Sequence, residues 1–223
     1  MSSLKMVAIA RDYIQHPKPR PPEMKTILAT CALATVGIVI TVSSAEANPA
    51  TEAFIQQRFD KGYTILNSTS LSKAERRDQF RTLLLQLVAS RRVALFALGP
   101  FAVGANPSEL DAFVEAFTNY TVALYEKQLS RYDGQALKVT GSTDRTADDS
   151  TVQADVIGPN PPNGQAINVA FRVRPNEIGN PTVTDIVVGG LSLATIARVE
   201  IGALMLQCNG SIPELSNRLN AMR

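Results

Sequence analysis

Apolar side chains in this chain change their spacing part-way along. From residue 50 to about residue 132 they recur every three or four positions; they then alternate in twos to residue 188, and return to helical spacing after Gly189-Gly190. A period near 3.6 marks helices buried on one face, and a period of two marks strands with one buried face. Helices first, strands next and helices last give an α+β domain. The expected architecture is an antiparallel sheet of about four strands with helices packed on one face.

The first expected helix, 50–66, carries Phe54, Ile55, Phe59 and Ile65-Leu66. A second begins after Ser72, which can cap it, with Glu75 three residues on to complete a capping box. Phe80, Leu83, Leu84 and Leu87 then share a face. A short helix over 91–98 stops at Gly99-Pro100. Pro107-Ser108-Glu109 opens the longest helix, to about Tyr132, with Leu110, Phe113, Val114, Phe117, Thr121, Leu124 and Tyr125 in one stripe before Asp133-Gly134.

Strands are expected over 136–140, 151–157, 166–174 and 181–188. In the clearest, Ile167, Val169, Phe171 and Val173 point one way, and Asn168, Arg172 and Arg174 the other. Residues 158–164, rich in Pro and Gly, make a turn. The helix over 191–207 is apolar nearly all round, so it is covered on most faces. A last short helix follows Ser211-Ile212-Pro213.

Met24-Lys25, an apolar run from Ile27 to Val42, and Ser43-Ser44-Ala45-Glu46-Ala47 have the order of a secretory signal peptide. The run falls short of the roughly 20 residues of a spanning helix. Residues 1–47 are therefore read as an N-terminal extension and cleaved signal, and 48–223 as one domain exported from the cytoplasm. Segment 1–47 holds five Lys/Arg and three Asp/Glu. That leaves 17 (22 − 5) basic and 17 (20 − 3) acidic residues beyond it. A neutral body lacks the electrostatic footprint of a nucleic-acid binder.

Catalytic candidates are few. Gly190-Leu191-Ser192-Leu193-Ala194 is one residue short of G-x-S-x-G, and a nucleophilic serine needs a base. The sole histidine, His16, lies ahead of the signal, so Ser192 reads as a helix cap. Beyond the signal, one cysteine, Cys208, and no histidine argue against zinc and against an activated thiol. Asp144, Asp148 and Asp149 read as a solvated hairpin tip, and Arg76-Arg77 and Arg91-Arg92 as solvated helix faces or contacts for anionic head groups or a membrane-complex partner. No cofactor is implied. What remains is an excess of apolar surface, carried by Phe96, Phe101, Phe113, Phe117, Phe171 and the helix after Gly190. It belongs either to a filled core or to the wall of a ligand cavity.

A succession of segments resembles the MlaC family of periplasmic phospholipid carriers, also called the toluene-tolerance or ABC-transporter auxiliary family. They are Phe80-Arg81-Thr82-Leu83-Leu84, then Ala94-Leu95-Phe96-Ala97-Leu98-Gly99, then Phe113-Val114-Glu115-Ala116-Phe117-Thr118-Asn119-Tyr120. Leu137-Lys138-Val139-Thr140-Gly141-Ser142 follows, and the stretch from Val183 to Leu193 completes the set. The resemblance spans nearly all of 50–222. A hopanoid-associated branch is similar over the same segments. This chain departs from the family in lacking Trp on the strand with Ala170-Phe171-Arg172, in carrying Gly189 where a Glu is common, and in having Pro100 after Leu98-Gly99.

The resemblance implies a periplasmic carrier that sequesters the acyl chains of phospholipid, or a related lipid, in an apolar cavity and is no enzyme. Its implied partners are an inner-membrane ABC transporter complex and an outer-membrane lipoprotein–porin complex, in a system that keeps the outer membrane's lipids asymmetric. The expected lining is Phe96, Phe101, Phe113, Phe117 and Tyr120 from helices, Val139, Val156, Val169, Phe171, Val173, Ile186 and Val188 from strands, and Leu193 and Ile196 from the helix after the sheet. The competing readings are a structural or adaptor domain of an envelope complex and, less favoured, a hydrolase built on Ser192.

Overall fold

The computed structural model describes residues 47–129, 134–158 and 166–223, with the side chains of 128 and 129 left aside. The expected signal up to residue 46, the turn at 159–165 and the end of the longest helix lie outside the described residues. Within them are six α-helices and one sheet. The helices are α1 (Pro49–Leu66), α2 (Lys73–Leu87), α3 (Ser90–Leu98), α4 (Pro107–Leu129), α5 (Leu193–Gln207) and α6 (Ile212–Ala221).

Their ends follow from local chemistry. The Asn48 side chain accepts from Thr51 N at 3.1 Å, and Pro49 opens α1 where a missing N–H costs nothing. The capping box of α2 forms as its spacing predicts: Glu75 N donates to Ser72 Oγ and Ser72 N to Glu75 Oε2. Gly99 ends α3 at φ 64°, a conformation that suits glycine, and a 3₁₀ turn over Gly99–Ala102 leads on.

The strands β1 (Ala136–Thr146), β2 (Asp149–Ile157), β3 (Ile167–Pro175), β4 (Pro181–Val188) and β5 (Leu191–Ser192) lie side by side in chain order, all antiparallel. The sheet thus has five strands where about four were expected. The extra one is two residues long, too short for any period to show, and pairs with Val187 and Val188 before the chain turns into α5. β1 also runs six residues past its expected end. Its apolar alternation stops at Gly141, but its backbone pairing with β2 continues through two irregularities in register to Thr146.

The Asp149 reading is corrected. It does not sit on a solvated tip but is 5% exposed, taking both Arg172 (2.8 and 2.6 Å) and Arg174 (2.5 Å) on its carboxylate. These bonds, Arg172's first, hold its pKa far below the usual carboxylate range. The cross-strand partners were invisible in the linear order, being more than 20 residues away.

α1 lies on β1 and β2, while α3 and α5 lie against β4. The free edge of β4 is closed where Ala89 N donates to Val183 O at 2.9 Å.

Candidate functional site

The buried apolar residues form two clusters with no residue in common. One is helical: Ala94, Ala97 and Leu98 of α3, Phe113, Ala116, Phe117 and Tyr120 of α4, a face of α5, and Ile212, Leu215 and Leu219 of α6. The other joins Ile55 of α1 and Leu87 of α2 to one face of β1–β4, including Val152, Ala154, Val169, Phe171, Val173 and Val183. A domain of this size ordinarily has one contiguous core. Here the two layers are filled separately.

The expected lining residues divide along the same line. Phe113, Phe117 and Tyr120 are buried in the helical cluster, with the Phe113 and Phe117 ring centroids 5.9 Å apart, and Phe101 packs on its rim. Val169, Phe171 and Val173 are buried in the sheet cluster, and Val139, Val156, Ile186 and Val188 are half-buried against it. Phe171 stacks on Phe59 of α1 at 5.2 Å. Leu193 and Ile196 are half-buried and belong to neither cluster. Phe96 stands at the surface, 43% exposed, with the Arg198 guanidinium 5.0 Å over its ring.

α5 explains how the layers are placed. Of its buried row, Ala197, Ile201, Leu204 and Met205 enter the helical cluster, while Ala194 is buried outside it. At one flank of that row, Arg198 reaches α3 through Phe96. The opposite flank carries Leu193, Ile196 and Glu200, three half-buried residues at i, i+3 and i+7. Besides α3, α5 packs against β4, β5 and α6. Glu200 lies deep enough that burial alone raises its carboxyl from 4.5 to about 6.

Tyr125 of α4 was read only as part of a core stripe. It sits so far inside the protein that burial first, and the charge of Asp185 second, push its phenol up, yet it keeps partial accessibility.

Two of the family-like segments meet directly: Arg81 Nη2 of α2 donates to Asn119 Oδ1 of α4 at 2.5 Å. In a third, Asp185 holds the start of α5. Its carboxylate accepts from Ala194 N at 3.0 Å and from Ser192 Oγ at 2.6 Å, while Ser192 Oγ itself accepts from Thr195 N. The hydroxyl caps α5 and donates to the Asp185 carboxylate, and among the described residues there is no histidine to activate it. A shallow depression of about 360 Å³ between the 3₁₀ turn and the starts of α4 and α6 touches the expected lining only at Phe101. Among the described residues no group of three or more His, Cys, Asp or Glu could hold a metal, and no helix is long and apolar enough to cross a membrane.

The family model described as "MlaC protein" matches residues 56–221. The chain belongs to the MlaC family. A solved structure of a phospholipid-binding protein from Ralstonia solanacearum, in complex with a phospholipid, is similar to it with a TM-score of 0.63 and 20% sequence identity. The alignment covers 77% of this chain and 95% of that one, so the fold is shared across the MlaC match.

Proposed function

We propose that this chain is a phospholipid carrier that holds acyl chains in the seam between its helical layer and its sheet, and that it catalyses nothing. The observation that carries this reading is the division of the buried residues into two clusters, with Leu193 and Ile196 of α5 half-buried and outside both. An acyl chain in water costs about 0.8 kcal/mol per methylene, so a lipid crossing an aqueous compartment needs an apolar container. Membership of the MlaC family supports the same reading, and the Ralstonia protein of similar fold is itself described as phospholipid-binding.

The lining is drawn from the seam faces: Val139, Val156, Ile186 and Val188 below, and Leu193, Ile196 and Tyr125 above. Phe113, Phe117, Val169 and Phe171 back these walls from within the two cores. The carrier works in the periplasm after export and processing between Ala47 and Asn48, with the inner-membrane transporter and outer-membrane lipoprotein–porin assemblies as donor and acceptor. The capping role of Ser192, with no histidine among the described residues to take its proton, supports a carrier rather than a hydrolase.

The test is mass spectrometry of an organic extract of protein purified from the periplasm. Phospholipid near one per chain is expected. A protein that emerges free of lipid, and takes none from vesicles, is an adaptor with filled cores instead.

A further inference from the structure

Composition predicts that α5 is covered on most faces, and the structure leaves one face of it bare. Val199 is 69% exposed and Leu206 74%. Thr195 and Ala203 are exposed beside them, and Gly202 has open space where a side chain would stand. At about 100° per residue these five fall within about 100° of the helix circumference, opposite the buried row. The outward face of a surface helix ordinarily carries charge, and this one carries none. On the side of α3 the face is bordered by Arg198, whose guanidinium lies 5.0 Å over the exposed Phe96 ring. Arg92, one turn before Phe96 on α3, is exposed as well. Among the described residues neither arginine meets a carboxylate: Arg198 touches the Phe96 ring and carbonyl, and Arg92 makes no bond or ion pair. Arg91, by contrast, is paired with Asp111 at 2.6 Å. The one acid of α5, Glu200, is half-buried about 160° round the helix from Arg198.

We propose that the bare face of α5, with Phe96, Arg92 and Arg198 along its border, docks the protein on the surface of an anionic phospholipid bilayer. A helix with an apolar face and a basic border lies in the plane of the membrane interface, its apolar side chains dipped among the head groups. Arginine on such a border keeps its stem on apolar surface and its guanidinium on phosphate, which its planar fork matches. A protein partner suits the face less well. The 15 residues of α5 make a strip about 22 Å long and about 10 Å wide, roughly 220 Å² in projection. A stable protein contact takes about 800 Å² from each partner. A second copy of the chain would also bring its own unpaired arginines to this border, whereas an anionic surface supplies the charge that they lack. The face shares no residue with the proposed lipid lining, so the inference goes beyond the carrier reading and does not depend on the cargo.

The experiment is vesicle flotation at low salt with protein purified from the periplasm. The vesicles are phosphatidylcholine alone or equimolar phosphatidylcholine and phosphatidylglycerol. Wild type should bind the mixed vesicles at least about tenfold more tightly than the neutral ones. Arg92→Gln, which breaks no contact among the described residues, should lose about fivefold on the mixed vesicles, the usual worth of one basic residue at an anionic surface. The double variant Val199→Ser/Leu206→Ser should lose at least about tenfold. Both variants should keep the wild-type melting temperature, since the altered side chains stand in solvent. The proposal is overturned if wild type binds neither vesicle, if it binds both equally, or if the variants bind like wild type; the face then belongs to a protein partner. A wild-type dimer that the double variant abolishes, with no vesicle binding, assigns the face to a second copy and equally overturns it. Should the double variant fold poorly, Arg92→Gln alone decides. The lipid content of the purified protein bears on the carrier reading and leaves this test unaffected.

Discussion

The helical cluster and the sheet cluster are packed differently. In the helical cluster small residues, Ala94, Ala97, Ala116 and Ala197, lie among the large rings of Phe113 and Phe117, and its members come from four helices. The sheet cluster is one-sided. α1 covers it at β1 and β2 and reaches β3 where Phe59 meets Phe171, but towards β4 Ile186 and Val188 stay half-buried, with α5 packed on that strand. The first region behaves as a fixed scaffold. On the proposed carrier reading, the second is the wall that the lipid completes.

The largest expected effect lies in the scaffold. Phe113→Ala removes a fully buried ring and should cost about 3–5 kcal/mol in urea unfolding. Leu193→Ala, at the seam, should cost the apo protein less than about 1 kcal/mol. Equal losses would erase the distinction between the regions.

Next comes the outer face of the sheet. Asp149→Asn leaves Arg172 and Arg174 unpaired. Loss of a buried pair costs about 3–5 kcal/mol, and because these arginines are about a third exposed the expected loss is nearer 2 kcal/mol. Asp149 has a depressed folded pKa, so its contribution is complete above the ordinary carboxylate range and is lost as pH falls below it. The gap between wild type and variant should therefore be full at pH 7 and shrink below about pH 4, as followed by denaturant midpoints.

Ser192→Ala should cost about 1 kcal/mol, the usual worth of a helix cap, and leave bound lipid unchanged. A loss of lipid transfer by orders of magnitude with the fold intact would instead make Ser192 a chemical group. Smallest is Glu200→Gln. The raised carboxyl means the folded protein binds a proton more tightly than the unfolded chain between pH 4.5 and about 6. Wild type therefore loses stability as pH rises through that window, and the variant should gain up to about 1 kcal/mol over it above pH 6 and nothing near pH 4.5.

Much of the fold was legible in the chain because burial and periodicity coincide there. The capping box at Ser72, the stop at Gly99 and the alternation through Phe171 are local, and each formed where its spacing indicates. β5 and the far half of β1 escaped, since one is two residues long and the other has lost its alternation. The site was less legible. Phe113 and Leu193 look alike as apolar helical residues, and only packing puts one inside a cluster and the other outside both. Asp149 and Glu200 are each ordinary surface acids in linear order. The arginines that neutralise one, and the burial that strains the other, arise from tertiary contacts.

Val169 shows how the structure sharpens the decisive test. Its place on the clearest strand suggests that a larger side chain there would displace ligand at little cost. In the structure it is 6% exposed, in register between Ala154 and Val188, where enlargement strains a packed core by about 1–3 kcal/mol. Ile196 is the better position, half-buried and outside both clusters. The measurement is lipid bound per chain in Ile196→Trp against wild type, with apo unfolding in parallel. If the seam is an acyl-chain site, bound lipid falls by more than half while apo stability moves by less than about 1 kcal/mol. Undiminished lipid, or a strongly destabilised apo protein with no lipid in wild type, would mean that the two layers are already closed on each other and that the seam holds nothing.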